Sequence, residues 1–135
     1  MKQIKIEVLK LLPVDADKKS KREVEYKAGQ IDLGKEVSVL TLESIEFPGK
    51  FYVGDGHHVV LGYMELNQNP LITILENDDD LREALKNPRH GAINTTHFPT
   101  MRERIHNWHL DAVKHDIRDF YDLQKLIVDF DSLKI

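Results

Sequence analysis

The chain of 135 residues has no cysteine. That absence excludes disulfides, zinc–thiolate sites, iron–sulfur clusters and thiol catalysis by this chain, and it fits an intracellular, cytoplasmic protein. No run reaches 18 apolar residues, so no transmembrane helix is expected. The N-terminus lacks the basic start, continuous apolar block and small-residue cleavage site of a signal peptide, and it reads as part of the fold. There is no internal repeat and no low-complexity segment. The net charge of −4 argues against nucleic-acid binding by the whole surface. What remains is an ordinary apolar fraction, 41%, in a length suited to one domain over residues 1–135.

Charge is distributed unevenly. Residues 1–28 carry eight Lys/Arg against five Asp/Glu, while the rest is acidic. Lys18, Lys19, Lys21 and Arg22 form a local basic patch, read either as a solvated loop or as a loop folding over a phosphate-bearing ligand.

Periodicity predicts the elements. Ile4, Ile6 and Val8 alternate with charged residues, as in a half-buried strand. A short helix is expected to end near Gly29 or Gly34. "EVSVLTLE" and "KFYV" read as strands separated by a Pro48-Gly49 turn. "HHVVLGYMELN" reads as a helix in which Gly62 costs stability unless something packs close, and "LITILE" as a further strand. Asp80 with Glu83 and Thr100 with Glu103 resemble capping boxes. No glycine or proline follows Pro99, and Met101, Ile105, Trp108 and Ala112 form one stripe, so one bent helix or two packed ones is expected through Ile135. The sum is an α+β fold: a small mixed sheet, a strand–glycine turn–helix motif and a helical C-terminal extension.

The stretch "FYVGDGHH" is the part of the sequence that points to chemistry. A strand runs into Gly54, Asp55 and Gly56, and a helix starts at His57 and His58. The first N–H groups of a helix lack intrahelical partners, and the helix dipole places partial positive charge there. Glycines let a ligand approach the backbone. His58 is placed to donate to a phosphate oxygen. His57 is placed to donate as well, or to act as an acid or base near neutral pH. Asp55 has three readings: helix cap, magnesium ligand, or acceptor of a proton from a hydroxyl nucleophile. A plain tight turn is the alternative to all of these.

Residues 51–76 resemble the core motif of the ParB/sulfiredoxin superfamily, in which a strand leads into an Asp-Gly-His-His-Arg type of turn, then a helix, then a strand. Over residues 4–76 the order of elements also agrees, making 1–76 a ParB/sulfiredoxin-like core and 77–135 a helical extension. The resemblance implies a turn that binds nucleotide phosphates, with Gly56, His57 and His58 matching the motif's glycine and its next two positions and Asp55 the acid before it. It implies a nucleoside triphosphate with magnesium as ligands, and a nucleotide hydrolase, kinase or nuclease as the activity. The superfamily's reductases need a cysteine, which this chain lacks. The family arginine is replaced by Val59, and either the Lys18–Arg22 segment or Arg89 with His90 is expected to take its place.

Two further readings compete. One is a catalytically inactive adaptor of the same fold, whose C-terminal helices bind a protein partner or a second copy. The other is DNA binding, which the acidic C-terminal region disfavours. Glu103 and His106 have the Glu-x-x-His spacing of di-iron bundles, but no second copy is evident. His90 and His97 flank a loop that could reach the glycine turn.

Overall fold

The computed structural model describes residues 1–130; the part of the expected helical tract beyond them lies outside the described residues. The fold is α+β. Ile4, Ile6 and Val8 are the more buried positions of the first segment, as alternation predicts, but only Lys2–Lys5 pairs as a strand, β1. Leu11–Leu12 forms β2 and Lys19–Ser20 forms β3. Helix α1, Lys21–Asp32, is capped by Ser20, whose hydroxyl accepts from the Glu23 N–H. It runs through Gly29 and stops before Gly34, which is left-handed at φ 71°.

The remaining elements are β4 (Leu40–Glu43), β5 (Phe51–Asp55), α2 (His57–Glu65), β6 (Leu71–Ile74), α3 (Asp78–Leu85), α4 (Phe98–Lys114), α5 (Phe120–Gln124) and β7 (Ile127–Val128). The main sheet has the order β1-β6-β4-β5-β2. β1 is antiparallel to β6, β6 parallel to β4, β4 antiparallel to β5, and β5 parallel to β2. β3 and β7 make a separate parallel pair.

Both faces of this sheet are covered, and β5, beside the central β4, is buried from Phe51 to Gly54. In β5, Phe51 and Val53 enter one cluster with Val24, Val60 and Phe120. Tyr52 between them points to the other, with Leu81, Met101 and Ile105. Strand side chains alternate faces, so one short strand supplies both cores. Helix α4 contributes Met101 and Ile105 to one cluster and Ala112 to the other, so it straddles the two.

The helix ends differ from the expected caps. Helix α3 starts three residues earlier: Asn77 accepts from the Asp80 N–H at 2.9 Å, and the Asp80 carboxylate accepts from the Glu76 N–H at 2.8 Å. Asp80 is therefore the answering residue of the box rather than its cap. Helix α4 is capped by the His97 ring, not by Thr100, whose N–H donates to it at 3.3 Å. The helical tract breaks without glycine at Asp116, which is left-handed at φ 64°. The Trp108 position of the expected stripe is taken by His109: Met101, Ile105, His109 and Ala112 are buried, and Trp108 is 38% exposed. Gly62 does have a close neighbour, since a Cβ there would lie 2.9 Å from the Ala28 nitrogen of α1.

Candidate functional site

The strand–turn–helix motif forms with Gly56 as its pivot. Gly56 has φ 109°, and a Cβ there would lie 2.7 Å from the Ser38 carbonyl oxygen. Only glycine meets both conditions without strain. Helix α2 begins at His57 with no side-chain cap, and its first intrahelical bond runs from the Val60 N–H to the Gly56 carbonyl. Asp55 does not cap it. Its carboxyl is half-buried at the end of β5.

This turn opens into a cleft of about 850 Å³. The wall beside the turn comes from Val14, Asp15, Asp17 and Lys19, with Glu23 and Lys27 of α1 beyond them. Residues 36–38 form another side, Asn87, Arg89, His90 and Ala92 a third, and Trp108 of α4 closes the rim. Of the expected phosphate-binding residues, Gly54, Gly56, His57, His58 and Arg89 line the cleft, while Lys18 and Arg22 lie outside it. The reason is strand β3: the parallel pairing of Lys19 with Ile127 fixes which side chain turns inward, and Lys18 is exposed. Lys19 of β3 and Lys27 of α1 line it instead.

Both lysines are already paired. Lys19 is buried and bonded to the Asp15 carboxylate, and Lys27 lies 3.8 Å from Glu23. Burial raises the Asp15 pKa, but the Lys19 ammonium and the Asp17 N–H outweigh it and leave the carboxyl below its usual range. The lining carries five carboxylates against three permanent cations. A bare polyanion would meet net repulsion there. A magnesium-bound one would not, because magnesium sites commonly combine one or two carboxylates with substrate phosphates. Asp55 fits that role: burial raises its pKa, and a cation at its carboxylate would relieve the desolvation.

The two motif histidines differ. The Nε2 of His57 accepts from the Val14 N–H at 3.1 Å, and the ring stacks on Phe120 at 5.6 Å. Burial and then the Lys19 charge push its pKa down to about 3. The Nε2 lone pair is engaged, and the ring ties the Val14 backbone to the turn. What His57 offers a ligand is its backbone N–H. His58 has no ring hydrogen bond among the described residues, and burial lowers its pKa as well. It is neutral at pH 7 and keeps one N–H to give.

Val59 is 4% exposed and sits in the apolar cluster with Val24 and Val60. The residue offers the cleft no charged side chain. His90, read in the sequence as a loop residue near the turn and, with Arg89, as a substitute for the missing arginine, lines the cleft. Its Nδ1 donates to the Ala84 carbonyl at 3.0 Å, which leaves Nε2 as the acceptor in the neutral ring, in the same cleft as Asp55. His97 stays apart as the cap of α4.

The Glu103–His106 pair does not converge. Glu103 is exposed, while His106 Nδ1 meets the Tyr52 hydroxyl at 2.6 Å. Ser44 donates to the same hydroxyl at 3.0 Å, and burial pushes the Tyr52 pKa up to about 12. His109 Nδ1 donates to the Pro13 carbonyl at 2.7 Å. These groups satisfy one another inside the core. Among the described residues no group of three or more His, Asp or Glu is arranged to hold a metal ion by itself, and no helix is long and apolar enough to cross a membrane. Compared with known proteins, the chain matches no protein-family model and no curated protein.

Proposed function

We propose that the cleft binds the phosphates of a nucleotide as its magnesium complex, in the manner of the ParB/sulfiredoxin superfamily that residues 51–76 resemble. The observation that carries this reading is the uncapped N-terminus of α2, held open to the cleft by a turn that admits only glycine at position 56. The backbone N–H groups of residues 57–59 and the His58 ring are the donors, and Arg89 is the cation not bonded within the lining. Bound magnesium would neutralise phosphate charge, with Asp55 as the protein's carboxylate toward it. Asp55 is also the residue placed to take a proton from an attacking hydroxyl or water.

Calorimetry with MgATP and MgCTP tests the binding. His58→Ala is expected to weaken it roughly 10- to 150-fold, the worth of one hydrogen bond to a charged group. His106→Ala, which lies on the far side of the sheet, is expected to leave it unchanged. No binding by the wild type, or equal losses in both variants, would sink the reading.

A non-catalytic relative is the second reading. One observation favours it: Val59 belongs to the core, so the turn carries no arginine at that position. Phosphorus NMR of MgATP with and without the protein separates the two, since turnover that Asp55→Asn abolishes is expected only of an enzyme.

A further inference from the structure

We propose that Trp108 is the platform on which the base of that nucleotide stacks, so that the ligand is a nucleoside phosphate rather than a simple polyphosphate; this rests on the phosphate reading above. The buried stripe of α4 runs through Met101, Ile105, His109 and Ala112, and the core therefore has no use for position 108. The indole nevertheless lines the cleft instead of facing open solvent on all sides. It is 38% exposed and makes no hydrogen bond or ring stacking contact among the described residues.

Its place relative to the turn is fixed by a short chain of bonds. His109, the next residue, donates to the Pro13 carbonyl at 2.7 Å, and the adjoining Val14 N–H donates to His57 at 3.1 Å. Trp108 therefore stands along one wall from the α2 N-terminus, with Val14 between them. The cleft of about 850 Å³ is far larger than phosphates need and lies within the range that holds a drug-sized ligand. Val14 and Trp108 are among the apolar members of a lining that is otherwise mostly polar and charged. A flat, polarisable, partly wet surface suits a π-face, because every base has one and stacking needs no desolvated polar partner.

The chain has a single tryptophan, so its fluorescence reports on this residue alone. MgATP, MgGTP, MgCTP and MgUTP are each expected to quench it and to shield it from acrylamide, whereas magnesium tripolyphosphate binds without shielding. Trp108→Ala is expected to weaken nucleotide binding roughly 5- to 150-fold and to leave tripolyphosphate affinity unchanged. Trp108→Phe keeps a ring and is expected to stay near wild type. If Trp108→Ala binds nucleotide as tightly as wild type, or loses both ligands equally, the stacking is overturned while the phosphate site stands. If the wild type binds neither nucleotide nor tripolyphosphate, the phosphate reading fails and the stacking with it. Acrylamide shielding in the wild-type protein keeps the question decidable even if the alanine variant melts early.

Discussion

Position 59 shows how one residue's surroundings decide its chemistry. From the sequence, Val59 stands where the superfamily places an arginine, in the first turn of a helix. In the fold its side chain is buried in the apolar cluster, although the residue also borders the cleft. Val59→Arg is therefore expected to place an unpaired charge in the core and to cost on the order of 3 kcal/mol or more, seen as a lower melting temperature, with no gain in nucleotide affinity. Tighter binding at an unchanged melt would refute that placement. The histidines make a second prediction, about pH. Burial lowers the pKa values of His57, His58 and His109 below the ordinary 6.5. In the unfolded chain they take up protons near 6.5; in the folded chain they resist. Their contribution to stability is present above that pH and is lost as the pH falls, by about 1.4 kcal/mol per pH unit for each proton withheld. Asp55, raised by burial, acts in the opposite sense at lower pH. Melts between pH 7.5 and 5.5 are expected to fall, and His57→Gln, which keeps an acceptor for the Val14 N–H and does not titrate, should flatten the slope. A wild-type melt that is level over this window would contradict the assignment.

Among the elements, α1 and α2 carry a glycine each, and the two have opposite meanings. Gly29 lies on the exposed side of α1, and a Cβ there meets nothing within 4 Å. Gly29→Ala is expected to stabilise the protein by roughly 0.5–1 kcal/mol through helix propensity and a less flexible unfolded chain. Gly62 faces the α1 backbone at Ala28, where a methyl group would sit 2.9 Å from the nitrogen. Gly62→Ala gains the same propensity but forces the helices apart, for a net loss of roughly 1–3 kcal/mol. Denaturant titrations of the two variants should shift in opposite directions; a shift in the same direction would mean that α1 and α2 are not in close contact. Periodicity found both helices, and the sequence marked Gly62 as a cost in need of a reason. The partner that supplies the reason is thirty-odd residues away, and no local pattern encodes that distance. Caps were misplaced for a related reason: several Asp, Asn, Ser and Thr residues compete to start each helix, and packing of the first turn selects among them. At α1 the Ser20–Glu23 spacing was present in the sequence as a box signal.

The molecule as a whole depends on its helical C-terminal part. Met101 and Ile105 complete one core cluster, and Ala112, Ile117, Phe120 and Leu123 complete the other. A chain ended at residue 97 would leave both core clusters incomplete. With each large apolar side chain worth about 1.5–3 kcal/mol of burial against a total stability of about 5–15, that chain is expected to show no cooperative thermal transition by circular dichroism. A two-state melt of the truncated protein would mean that residues 1–97 are a self-sufficient core. The α+β class, the glycine turn at Gly54–Gly56 and the helix that follows it were determined by the sequence, because side-chain periodicity and glycine's backbone freedom act over a few residues, whereas the two-residue strands β2, β3 and β7 are too short to leave a pattern. The tertiary structure alone decided that Lys19 and Lys27 rather than Lys18 and Arg22 enter the cleft, that His57 is engaged by Val14, that Val59 is buried, and that Trp108 leaves the core for the rim. Each of these turns on the register of a strand or the rotation of a helix against segments remote in the chain, and a shift of one residue in either changes which side chain faces the cleft.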